Sequence, residues 1–193
     1  KSIIFNGNNY ADEWQKEASK RGLLNLRNSV DAFGESLKPD VIKAFEQYGV
    51  LNARELKARH EIAFEQYNKT VNIEAQLMVL MANRYILPAA YRYQTQVAQS
   101  VSAVKAAGGS AKEAKKSLDT LVSLTEGCKT TVDKLQHLLE HEGNGDAGKH
   151  AKYFRDKVIP NMVALREFGD SLESLVPHDL WPLPTYREML FVR

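Results

Sequence analysis

The 193 residues carry 26 Lys and Arg against 24 Asp and Glu, a formal net charge of +2, with 44% hydrophobic and 26% charged residues. That balance excludes a long-range field for drawing in nucleic acid or an anionic membrane, and the apolar share excludes disorder and collagen-like repetition. A single cysteine, Cys128, excludes an internal disulfide and fits a reducing, cytoplasmic compartment.

The chain opens at Lys1 without methionine and runs directly into Ile3-Ile4-Phe5 with no charged-then-apolar leader, as a piece of a longer protein would. Residues 1–51 read as short helical elements: Tyr10 to Arg21 closed by Gly22, a turn from Ser29, and Pro39 to Tyr48 closed by Gly49. Trp14, Leu23, Phe33, Val41 and Phe45 anchor these elements without making a convincing core of their own. The expectation is that they continue from sequence upstream.

Residues 52–176 read as an all-α, up-down-up antiparallel bundle of three long helices. Asn52 with Glu55, and Ser110 with Glu113, have capping-box spacing and predict helix starts at 53 and 111. Gly108-Gly109 ends the first helix, and the run from Gly143 to Gly148 separates the second from a third over about 149–176. The first helix has one apolar stripe through Ala63, Tyr67, Val71, Ala75, Met78, Met81, Tyr85, Ala89, Tyr93, Val97 and Val104. A second stripe, Ile73, Leu77, Leu80, Leu87 and Tyr91, predicts burial on two faces over 71–91. Asn72, Glu74, Gln76, Asn83 and Arg84 within that stretch exclude a membrane span.

Pro88 and Pro160 should bend the first and third helices, at similar heights if those helices run parallel. Unbroken to residue 107, the first helix measures about 80 Å, longer than either successor. Its leading half, with Phe64 and Tyr67, therefore needs a cover and is a candidate docking surface; a break near Asn68 to Asn72 is the competing reading. On the second helix Ala114, Leu118, Leu121, Thr125, Cys128, Val132, Leu135 and Leu139 alternate four and three apart, a heptad seam. Gly127 weakens that helix without facing the seam. The third presents Phe154, Val158, Met162, Leu165, Leu172 and Leu175. Residues 177–193 form an extended Pro/aromatic strap ending in a short helix, with Trp181, Tyr186 and Phe191 as candidate docking or interface residues.

Several strings suggest chemistry and have plainer readings. His137-Leu138-Leu139-Glu140-His141 has zinc-hydrolase spacing, but the third ligand would have to be Glu142 or His150, in or beyond a glycine loop. Gly143 to Gly148 matches G-x-G-x-x-G but follows a helix where a dinucleotide loop follows a strand. Asn68-Lys69-Thr70 is a glycosylation string on a helix. Cys128 in a seam packs like Ala or Val. Tyr85, Tyr91, Arg92 and Tyr93 read as bundle packing before nucleotide stacking. Glu74 and Arg84, too far apart to pair, read as solvated, with Arg155, Arg166 or an upstream domain as the alternative partners for Glu74. No catalytic, cofactor-binding or metal residue is assigned.

The run Trp181-Pro182-Leu183-Pro184-Thr185-Tyr186 resembles the C-terminal end of type III glutamine synthetases. So do Ile3 to Tyr10, Lys20-Arg21-Gly22-Leu23, Lys69 to Ala75, and Tyr153 to Pro160, which together span nearly the whole chain; Arg187-Glu188 departs from the family's Gly-Asp. The resemblance implies a parent enzyme that joins ammonia to glutamate using ATP and Mg or Mn, with its catalytic machinery upstream of these residues. It implies a non-catalytic role here in packing on the chain's own catalytic domain and on neighbouring identical subunits. A free-standing helical interaction module is the alternative, and a metal-dependent hydrolase the third reading.

Overall fold

The computed structural model describes residues 4–141, 143, 145–184 and 186–191, and every regular element among them is helical. Contacts divide the chain into two compact units, Lys1–Tyr67 and Asn68–Arg193.

In the first unit, α1 (Asp12–Lys20), α2 (Ser29–Glu35) and α3 (Pro39–Gln47) precede α4 (Ala53–Met81), whose residues through Tyr67 belong here. Gly22 and Gly49 take positive φ where α1 and α3 end, and the amides of Leu23 and Val50 close back onto Ala18 and Phe45. The turn expected from Ser29 is a helix because Asn28 caps it, its side chain accepting the Asp31 amide at 2.9 Å. Asn52 and Glu55 form the reciprocal box: Asn52 N–H donates to Glu55 Oε2 at 2.9 Å and Glu55 N–H to Asn52 Oδ1 at 3.0 Å. The interval Asn68 to Asn72 lies inside α4 without interruption.

In the second unit, the rest of α4 is followed by a π-helical turn (Ala82–Ile86), α5 (Leu87–Ala106), α6 (Lys112–Leu139), α7 (Ala147–Tyr153), a second π turn (Phe154–Val158) and α8 (Ile159–Glu173). Helix α6 packs on both α5 and α8. Leu121, Thr125, Cys128, Val132 and Leu135 of its seam are buried, as the 4-3 spacing requires. The Ser110–Glu113 box does not form: α6 starts one residue late, with Ala111 at the cap position and no side-chain cap, so the Ser110 hydroxyl is out of register with the first-turn amide that a cap would satisfy.

Where each bend was expected, a π turn stands just before the proline. Leu87 N–H bonds to Ala82 O and Ile159 N–H to Phe154 O, each five residues back. A wider turn moves the carbonyl that the next residue's pyrrolidine ring would strike. Beyond the first π turn the expected stripe holds only in part: Ala89 is buried, and so is Leu87 of the second stripe, but Tyr85 and Val104 are exposed while Ala90 and Val101 are buried. The two π turns are staggered, because Ile86 sits beside Gly169, roughly 16 Å along the helix from Val158 at 1.5 Å per residue. Leu175 is exposed because α8 ends at Glu173 and Val176 turns inward instead, its N–H on Leu172 O.

Residues 177–181 form a turn, with the Leu180 and Trp181 amides both 3.0 Å from Pro177 O. Proline's fixed φ suits the first position of such a turn. The described end of the chain is α9 (Tyr186–Leu190).

Candidate functional site

In the first unit, Phe64 is buried, with its ring edge-on to Phe33 at 5.3 Å and to His60 at 4.8 Å. Tyr67 stands edge-on to the same Phe33 at 6.5 Å. His60 fixes this arrangement: its Nδ1 lies 3.0 Å from Phe33 O and 3.1 Å from Ser36 Oγ. A carbonyl only accepts, so Nδ1 carries the proton and His60 caps the end of α2. The two aromatics that α4 offered as a docking surface thus already meet α2.

In the second unit, a half-open cavity of about 400 Å³ is lined mainly by apolar side chains, among them Met78, Met81, Ile86, Leu165 and Trp181. Trp181 is buried, and its indole N–H has no hydrogen-bond acceptor among the described residues. Phe191 is exposed, and the side chain of Tyr186 lies outside the described residues. Cys128 also lines the cavity, and burial pushes its thiol up to about 11, so it is a protonated packing group at neutral pH. Arg166 and Asp170 pair at 2.7 Å on the rim. The apolar contacts that seat Trp181 were legible in the proline-tryptophan run, whereas Met78, Met81 and Gly169 as its neighbours depended on the tertiary register.

The histidine string does not assemble. His137 Nδ1 pairs with Glu140 Oε2 at 3.0 Å in an exposed turn, while His141, beyond the end of α6, stacks on Tyr153 at 4.1 Å. His150 stacks on Phe154 at 4.5 Å; burial first, and the neighbouring His141 second, hold its imidazole below the ordinary range. Tyr153 OH donates to Leu138 O at 3.0 Å, so these rings seal the α6–α7 connection. Glu142 lies outside the described residues, and among the described ones no three His, Cys, Asp or Glu side chains converge as metal ligands.

The glycine run is a helix connector. Gly145 takes φ +77°, and Asp146 caps α7 by accepting the Lys149 amide at 3.0 Å, which holds its carboxyl below the usual range. Asn144 lies outside the described residues. Asn68 is buried, and its Nδ2 donates to Ala147 O at 2.9 Å, which removes it as a glycosylation acceptor in the folded chain. Glu74 and Arg84 are both exposed, the solvated reading. No helix among the described residues is long and apolar enough to cross a membrane.

A family model described as the glutamine synthetase C-terminal domain matches residues 1–105. The chain is 31% identical over 198 residues to a type-3 glutamine synthetase of Dictyostelium discoideum, covering 99% of this chain and 27% of that protein. It is 32% identical over 195 residues to a glutamine synthetase of Butyrivibrio fibrisolvens, covering 99% of this chain and 28% of that protein. Against a glutamine synthetase of Bacteroides fragilis (strain YCH46) identity is 26% over 200 residues, covering 99% and 27%. The chain thus spans little more than a quarter of the length of these relatives.

Proposed function

The chain belongs to the glutamine synthetase C-terminal domain family, and from that premise we propose that it is the non-catalytic helical region of a cytoplasmic glutamate–ammonia ligase. In the full-length enzyme, ATP would phosphorylate the glutamate side-chain carboxylate and ammonia would displace the phosphate. ATP and Mg or Mn would be held upstream of these residues. The present segment would pack on that catalytic portion and help to join neighbouring subunits.

One observation carries the reading: the groups with chemistry to offer are committed to holding helices together. Cys128 packs in the seam, His60 and Asp146 cap helices, and His141 and His150 stack on rings. A nucleotide-bound cation needs converging carboxylates, and among the described residues no three His, Cys, Asp or Glu side chains converge, which is in keeping with a metal held upstream.

We read the second unit as three helices alternating up, down and up. Two pairs support this. Asn68 meets Ala147 and Ile86 meets Gly169, so both partners advance together along the chain, as in a parallel first and third helix joined through α6. Residues 177–193 then close the bundle as the strap, with Trp181 seated and Phe191 outward.

Thermal denaturation of the 193-residue chain with saturating ATP, glutamate and Mg tests the assignment. The midpoint should not move, since a ligand that binds the folded state at 100 times its Kd would add about 2.7 kcal/mol. A reproducible rise would place a site within these residues and overturn the reading.

A further inference from the structure

The second apolar stripe of the long helix is where sequence and structure part most usefully. Burial on two faces was expected, yet Ile73, Leu77 and Leu80 are 65%, 52% and 42% exposed. Their spacing of four and three puts them on one face of α4, in the alternation with which one helix seats another. Arg84, also exposed, follows Leu80 by four residues, at the end of the stripe.

We propose that Ile73, Leu77 and Leu80 form the docking face for a helix of the N-terminal portion of the full-length enzyme, with a carboxylate of that helix opposite Arg84. The inference rests on the proposed function above and assigns the surface it requires. Two arguments select this occupant. The three side chains expose together on the order of 300 Å², against the ~800 Å² that each partner buries in a standard interface, so a second copy could not be held by this face alone. A segment of the same polypeptide needs no such area, because its tether supplies a high effective concentration. The relatives are more than three times as long as this chain, so the family has ample sequence to supply that segment.

The test is thiol labelling of Leu77→Cys, with Ser123→Cys on α6 as control, in the 193-residue chain and in the full-length enzyme. Maleimide modification of the introduced cysteine is followed by mass spectrometry of its peptide. Both positions are exposed, so both variants fold and both should label rapidly in the short chain. In the full-length enzyme, Leu77→Cys should label at least tenfold more slowly while Ser123→Cys keeps its rate. Equal rates for Leu77→Cys in the two proteins overturn the proposal, as does equal slowing at Ser123→Cys. Slow labelling already in the short chain would mean that residues 1–67 cover the stripe. Protection lost on dilution to separate subunits would identify a second copy. Either result overturns the assignment. Amide exchange in the same pair of proteins separates this from failure of the broader reading. Slowed exchange elsewhere with Leu77→Cys unprotected leaves packing intact on another face, whereas no change anywhere removes both.

Discussion

Gly127 shows how a residue's meaning depends on what lies above it. In sequence it only weakens α6, since glycine within a helix is about 1 kcal/mol less favourable than alanine. In the fold the Phe168 ring lies against its backbone, and an added Cβ would overlap the ring carbons. Gly127→Ala should therefore lower stability by about 1 to 3 kcal/mol, the usual range for overpacking, despite its gain in helix propensity. Urea denaturation decides the sign, and a stabilised variant would show that Phe168 moves aside freely. Cys128, one position on, makes a pH prediction. Its thiol is raised from 9.0 to about 11 by burial. Between those values the unfolded chain releases this proton and the folded chain keeps it, so the contribution is complete below pH 9 and is lost as pH rises toward 11. Measured against Cys128→Ala, which lacks the titrating group, the native chain should lose melting temperature faster over that interval. Parallel curves would mean that the thiol titrates normally.

At the level of elements, the two π turns explain what the sequence could and could not disclose. The α6 seam was legible because an unbroken helix keeps its 4-3 alternation in register with one face, and the α4 stripe was legible through Met81 for the same reason. Beyond residue 82 it was legible only in part: Ala89 and Leu87 are buried as their stripes require, but Tyr85 and Val104 are exposed while Ala90 and Val101 are buried, and no periodicity announces where a turn widens. Pro88 and Pro160 marked the neighbourhood without giving the form. The same uncertainty affected the caps, since Asn52 and Ser110 have equivalent spacing to their glutamates but only Asn52 stands at the residue where its helix begins. The π turn at 82–86 can be tested by removing its surplus. Deleting the exposed Arg84 returns the backbone toward regular α geometry, keeps the inward faces on either side, and brings Pro88 against the preceding turn. That deletion should cost on the order of 3 kcal/mol. Adding Pro88→Ala to it should recover most of the loss. If the double variant is as unstable as the deletion alone, the proline is not what the wide turn accommodates.

For the whole molecule, the two ends of the strap predict different failures. Trp181 was legible as an anchor because a large ring between prolines has to be seated, and it is buried at a cavity that Met78, Met81 and Leu165 also line. Met189, Leu190 and Phe191 are exposed, and nothing in the sequence could say so, because what covers them is a surface outside this chain or solvent. Trp181→Ala should thus act within the second unit, destabilising the isolated chain by about 3 to 5 kcal/mol as for other buried aromatics. Deleting residues 185–193 should leave the melting temperature of the isolated chain nearly unchanged, since Met189, Leu190 and Phe191 are already in water. In the full-length enzyme the same deletion removes apolar area that the proposed assembly would bury between subunits. Its light-scattering mass should then fall on dilution at concentrations where the intact enzyme holds together, while any binding of ATP and Mg at the proposed upstream site persists. A truncated enzyme that keeps its full mass at every dilution would show that the tail takes no part in assembly, and would confine the strap's role to seating Trp181.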